Sequence, residues 1–110
     1  MSKRIAFVAG GPSHAAGAHE HNAGCLLMAK LLNENVEGVE AVVHSNGWPE
    51  DNSFFDGADA LVVYSDGGAR HPAIPQLQFV DSFAKQGKGI ALLHYGVEVP
   101  AEEGGKEFLE

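Results

Sequence analysis

"RIAFVAG", residues 4–10, is an apolar run without polar alternation that closes on glycine. Such a run reads as a strand buried on both faces and opening into a loop. The same sentence recurs along the chain. "VEAVVHS" (39–45), "ALVVYSDGG" (60–68) and "GIALLHYG" (89–96) are further short apolar runs rich in β-branched residues. Between them lie helical patterns. "NAGCLLMAKLLNENV" (22–36) carries apolar residues at 26, 27, 28, 31 and 32, an expected buried face, with Asn22 as N-cap. "IPQLQFVDSFAKQGK" (74–88) has Leu77, Val80, Phe83 and Ala84 at helical spacing, with Gly87 as C-cap. Alternation of buried strands with helices specifies an α/β fold with a parallel sheet covered on both faces.

The remaining segments are connections. "NGWPEDNSFFDGAD" (46–59) is turn-rich with one helical turn around "SFFDG", and Gly38 and Gly57 read as turn residues. "PAEEGGKEFLE" (100–110) starts with proline and acids, as a helix N-terminus does. No internal repeat or low-complexity tract interrupts the pattern.

A chain of 110 residues makes one domain with a single core. Its formal net charge of −8, with only seven basic residues and no basic patch, argues against nucleic acid and anionic membranes as partners. No segment approaches the roughly 20 apolar residues that cross a bilayer. The single cysteine, Cys25, makes no internal disulfide and lies on the apolar side of the first helix, so it reads as a buried structural thiol. The N-terminal apolar run is shorter than the roughly 7–15 residues of a signal h-region, which points to a cytoplasmic chain, a leader removed from a precursor aside.

In open parallel sheets, ligands bind beyond the carboxyl ends of the strands. Three polar loops follow strands here, 10–24, 65–73 and 94–99. They carry His14, His19, Glu20, His21, Asp66, Arg70, His71, His94, Tyr95 and Glu98. His19 and His21 are two apart, so an extended segment would turn both to one side, a spacing usable by Zn²⁺ or another divalent ion. His14 would join from the preceding turn, and His71 from a neighbouring loop. The alternative is a polar loop whose histidines bond backbone or water. No HExxH or CxxC motif decides between them.

His94 closes the fourth strand, where an imidazole can act as general acid or base, with Glu98 four residues on as its orienting carboxylate. The alternative is a residue closing the top of the core. "YSDGGARHP" offers Asp66 and Arg70 around two glycines, suited to holding hydroxyls or an anion, or forming an ordinary turn with a solvated arginine. Neither a phosphate loop nor GxGxxG is present, so no nucleotide cofactor is expected. Trp48 either stacks on a sugar ring or anchors its loop to the sheet edge.

"LLHYGVE" after the fourth strand resembles the nucleophile-elbow segment of class I glutamine amidotransferases, in which a Cys-Tyr-Gly type turn ends a strand. With "SHAAGAHEHNAGCLLMAKLLNE", "FDGADALVVYSDGGARHP" and "VDSFAKQGKGIALLHYGVEVP", the chain resembles the ThuA-like (trehalose utilisation) family of that superfamily over nearly its whole length. The resemblance implies a three-layer, flavodoxin-like domain with strand order 2-1-3-4, and a role in using trehalose-like disaccharides or their keto derivatives.

One departure matters. His94 stands where the elbow cysteine would be, so glutamine hydrolysis, which needs that thiolate, is not expected. The chain is also about half the length of a complete family domain, and 1–110 reads as its N-terminal part. The expected site has His94 and Glu98 as the catalytic pair and His14, Asp66, Arg70 and Tyr95 holding a small carbohydrate. His19, His21 and His71 would hold a divalent metal, Zn²⁺ first. The expected activity is sugar modification of hydrolase, lyase or isomerase type. The rival expectations are a non-catalytic sugar-binding or regulatory module, and an incomplete domain whose exposed sheet edge is covered in a homo-oligomer.

Overall fold

The computed structural model describes residues 2–109. Strand β1 (Lys3–Ala9) leads through a long loop into helix α1 (His21–Asn35), followed by β2 (Val39–His44), β3 (Ala60–Ser65), α2 (Leu77–Lys85), β4 (Gly89–His94) and a short α3 (Gly105–Leu109). The four strands form one sheet in the order β2-β1-β3-β4, and every pairing is parallel. This is the α/β architecture and the strand order expected from the sequence, compatible with a flavodoxin-like three-layer fold.

Alternate residues of the strands build two cores, one on each face. Ala6, Val8, Leu61 and Val63 face Phe83 of α2 and the Phe55–Ala58 connection. Phe7, Ala9 and Ala41 face Cys25 and Ala29 of α1. Each large apolar side chain buried this way contributes on the order of 1.5–3 kcal/mol. Cys25 is fully buried, as a structural thiol. Trp48 packs on Phe55 and Phe79, with ring centroids 5.0 and 6.0 Å away, and its indole donates to Asn52 Oδ1 at 2.8 Å. It anchors its loop to the core, which leaves the sugar-stacking reading without support.

Helix α1 departs from expectation. Its buried residues are His21, Cys25 and Ala29, with Met28 and Leu32 half-buried beside them. Leu26, Leu27 and Leu31 are 54%, 58% and 49% exposed. The helix presents its small residues to the sheet, which allows close approach, and turns three of its four leucines outward. Glu20, not Asn22, precedes the first turn. The Asn22 side chain instead donates to Asn46 Oδ1 and accepts from the Asn46 amide, tying α1 to the loop after β2.

The second helical segment is shorter than 74–88. Ile74–Gln76 form a 3₁₀ turn around Pro75, and the α-helix proper runs over Leu77–Lys85, with Val80 and Phe83 buried. Ala84 faces solvent and Phe79 packs in its stead. Gly87, with φ +81°, ends the helix, its amide donating to Ala84 O at 2.9 Å. Among the described residues, β4 pairs only with β3, and no helix is long and apolar enough to cross a membrane.

Candidate functional site

Because all strands run the same way, β1, β3 and β4 end at one edge of the sheet, and Ser65 stands in register with His94. The loops that follow them meet above that edge. The loop after β1 leaves pressed against the end of β3. A Cβ on Gly10 would stand 2.6 Å from the Ser65 Cβ, so glycine is required for this path. The loop is then held from below. His21, the first residue of α1, is 2% exposed, and its Nδ1–H donates to Gly11 O at 3.2 Å.

That one hydrogen bond sets the chemistry of the His21 ring. With the proton on Nδ1, Nε2 carries a lone pair, and this buried atom has no hydrogen-bond partner. It lies 3.9 Å from Asp66 Oδ1. The same carboxylate oxygen is 3.8 Å from His19 Nδ1 and 4.0 Å from His14 Nδ1. Three imidazole nitrogens thus surround one carboxylate oxygen. His14, His19 and Asp66 can offer ligand atoms that all lie within 4.8 Å of one another. His21 forms the buried floor beneath this trio.

The electrostatics suit cation binding. Hydrogen bonding from Ser13 is the main cause that holds the Asp66 carboxyl below its ordinary range. Desolvation opposes it, and His21, His14 and Arg70 add to it. Desolvation, and then the neighbouring His14 and His94, hold His19 below its ordinary 6.5, against the pull of Asp66. A carboxylate beside imidazoles is a donor set of the kind that holds Zn²⁺. Tetrahedral ligation at roughly 2.0–2.1 Å needs donor atoms about 3.3 Å apart, so inward movements of about half an ångström would close this set. An imidazole that donates its other N–H to a backbone carbonyl, as His21 does to Gly11, is the usual outer arrangement of a metal histidine. The residues present therefore fit a divalent ion.

His94 reaches the cluster from the end of β4. Its Nε2 lies 3.1 Å from His19 Nδ1, and its ring lies 4.4 Å from that of Tyr95. Its backbone is strained, at φ +58° and ψ −129°, a conformation that side-chain-bearing residues rarely adopt and that costs on the order of 1–3 kcal/mol. A sharp turn of this kind at a strand end lifts a side chain out over the sheet edge, as a nucleophile elbow does. The surrounding glycines make room for the turn. A Cβ on Gly67 would collide with the Tyr95 carbonyl oxygen.

Two expected residues are elsewhere. Glu98 does not orient His94, and no ion pair or hydrogen bond joins them. The four-residue spacing would align them on an α-helix, but Tyr95–Val97 form a 3₁₀ turn and Glu98 is extended at φ −102°, ψ 108°. Glu98 instead ties loops together, its carbonyl accepting from the Gly68 amide at 2.8 Å and its own amide donating to Tyr95 O at 2.9 Å. His71 stands apart from the trio. It is 1% exposed, its Nε2 donates to Gly96 O at 2.8 Å and its Nδ1 accepts from the Ala73 amide at 3.1 Å. Both ring nitrogens are engaged by backbone, so His71 fastens the loop after β3 beneath the elbow.

The other expected residues converge. His14 and Asp66, read from sequence as substrate contacts, join His19 in the metal-competent trio. Tyr95 is half exposed, its ring 6.2 Å from that of His19. Arg70 lines a small hollow with Gly10–Ser13 and Asp66. A larger hollow of about 240 Å³ opens over His14, His19 and His21. Ser13 and Gly11 escaped the sequence reading. The only signal for Ser13 was its place beside His14, and nothing in the sequence marks a carbonyl as the partner of His21.

Compared with family models, with curated proteins and with solved structures, the chain matches none.

Proposed function

We propose that this chain is a metal-dependent protein of carbohydrate utilisation of the ThuA-like type, acting on or binding trehalose-like disaccharides or their keto derivatives. The observation that carries the metal is the buried, unpartnered Nε2 of His21 beneath the trio of His14, His19 and Asp66. An orphaned buried acceptor costs on the order of 1–3 kcal/mol, a cost that a bound cation removes. The ion would be held by His14, His19 and Asp66, with His21 at the floor. It would supply Lewis acidity toward a hydroxyl or carbonyl oxygen.

The sugar assignment draws on the sequence resemblance and on the walls of the hollow. They combine the imidazoles, Ser13, Glu20 and Asn22, which suit hydroxyl groups, with Pro12, Ala15 and Ala16, which suit the apolar face of a sugar ring. Its volume of about 240 Å³ holds one sugar ring, and a second ring would extend toward the exposed face of Tyr95. His94, raised on its strained turn, takes or gives the substrate proton. Glutamine hydrolysis is not part of the proposal, because no thiol stands at the elbow.

A second reading is a sugar-binding module without turnover. It is favoured by the absence of a carboxylate orienting His94. Elemental analysis of untagged protein, with and without His19→Ala/His21→Ala, tests the metal. Near-stoichiometric Zn, Mn, Fe or Ni that disappears in the double variant is the expected result. Protein that stays metal-free after Zn²⁺ addition and dialysis would remove it. Binding of trehalose that survives His94→Ala, with no product formed by either protein, would establish the second reading.

A further inference from the structure

The loop after β1 separates two hollows that share Pro12 and Ser13 as a common wall. The larger one opens over the histidines. The smaller, of about 130 Å³, is lined by Gly10, Gly11, Pro12, Ser13, Asp66 and Arg70. At about 30 Å³ per water it has room for roughly four waters, the size of a carboxylate or phosphoryl group rather than a sugar ring.

Acidic residues outnumber basic ones, 15 to 7. Arg4, Lys30 and Lys85 each lie against a carboxylate. Arg70, like Lys3, Lys88 and Lys106, makes no ion pair among the described residues, although its charge helps to hold the Asp66 carboxyl in the same hollow below its ordinary range. The Asp66 oxygen Oδ1 is turned toward the three imidazoles instead. Gly10, Gly11 and Ser13 line the same hollow. The amides of Gly11 and Ser13 donate to nothing among the described residues, and a Cβ on Gly11 would meet no atom within 4 Å. An exposed guanidinium and main-chain amides lining one hollow of this volume can together take an oxyanion.

We propose that the ligand of this site is an acidic sugar, with its ring over the histidines and a carboxylate or phosphoryl group beside Arg70 and the Gly11–Ser13 main chain. The proposal rests on the carbohydrate reading above and narrows it to one substrate class. Arg70 is then the residue that sets specificity. Its planar fork engages two oxygens at once, which a lysine does not reproduce. Asp66 stands between the two parts of the ligand. Its charge is offset by the cation it helps to hold, so the hollow as a whole favours an anion.

The test is calorimetric titration of wild-type protein, Arg70→Gln and Arg70→Lys with glucose, glucuronate and glucose 6-phosphate, each in metal-free and Zn²⁺-loaded form. Wild-type protein is expected to bind one of the two acids at least about tenfold more tightly than glucose, as a charge-assisted, two-point contact implies. The arm that wins distinguishes carboxylate from phosphate. Arg70→Gln should abolish the preference, so that the acid and glucose bind alike, and Arg70→Lys should retain part of it. Equal affinity for acid and neutral sugar in wild type, a preference that survives in Arg70→Gln, or no binding of any of the three overturns the proposal. Failure of the metal reading shows separately, as wild-type protein that takes up no Zn²⁺. An Arg70-dependent preference in the metal-free titrations would then still support the anion subsite.

Discussion

His19 Nδ1 and His94 Nε2 are 3.1 Å apart, although 75 residues separate them in the chain. Two nitrogens at that distance share one proton, and protonating both rings places like charges in contact. This is one of the causes that depress His19, after desolvation and His14. Removing the neighbour should therefore release the shift in part. In metal-free protein, His94→Ala is expected to raise the His19 pKa toward its ordinary value, read by NMR titration of the imidazole resonances. An unchanged or lowered His19 pKa would show that the two rings do not interact in solution.

The strain at His94 makes a separate prediction. At φ +58° the Cβ is the source of the strain, so alanine keeps the cost and glycine removes it. Both substitutions lose the same ring contacts with His19, Tyr64 and Tyr95. His94→Gly should therefore be more stable than His94→Ala by about 1 kcal/mol in urea unfolding. Equal midpoints, or a less stable glycine variant, would mean that the turn relaxes without cost.

His71 and His19, both held below 6.5, supply the pH dependence, and His71 is the more deeply buried of the two. Burial lowers its pKa below 6.5, with the Gly96 hydrogen bond opposing in part. A histidine depressed in the folded state binds its proton more weakly there than in the unfolded chain. Stability is therefore unaffected above the unfolded value and falls as pH drops below about 6.5, down to the folded pKa. For one proton the slope is at most about 1.4 kcal/mol per pH unit. The depressed carboxylate Asp66 acts only in a more acidic window, below its ordinary 3.8. Metal-free protein is expected to lose melting temperature between pH 7 and pH 5, and His71→Ala to flatten that slope. The variant should also be destabilised by about 2–4 kcal/mol at pH 7, because it leaves the Ala73 amide and the Gly96 carbonyl without partners around a cavity. A slope identical to wild type would assign the acid sensitivity to another group.

The architecture was legible because each strand is a continuous apolar run, and the edge where ligands bind follows from strand direction alone. Composition in α1 misled, since Leu26, Leu27 and Leu31 have the periodicity of a core face. What decides is proximity. Cys25 and Ala29 let the helix lie close to Phe7, Ala9 and Ala41, where leucines would hold it off. Among the loop residues, His14, His19 and Asp66 were recognised as polar groups on converging loops. Whether a loop histidine faces the hollow or is plugged beneath it depends on the path of the loop, which no spacing rule encodes. His71 and Glu98 were misplaced for that reason. His71 is plugged by the Gly96 carbonyl and the Ala73 amide, and Glu98 is carried past His94 by a 3₁₀ turn.

Asp66 is the residue on which the proposed metal site turns, because its Oδ1 lies within 4.0 Å of a ring nitrogen of His14, His19 and His21 alike. Asp66→Asn preserves shape and hydrogen-bonding capacity but removes the only charge among these four side chains when the histidines are neutral. The loss should appear in cation affinity and not in the fold. Altering even an outer partner of a metal ligand typically costs about 10–100-fold in affinity, so loss of the ligand charge should cost at least that. The measurement is a competition titration of Co²⁺ or Zn²⁺ against a chelator of known affinity, with circular dichroism to confirm the fold. His71→Ala serves as the contrast, destabilised yet expected to hold its metal where it remains folded, because both nitrogens of that ring are engaged by backbone. Equal affinity for Asp66→Asn and wild type would remove Asp66 from the site, and the three histidines would lose the anion about which they are arranged.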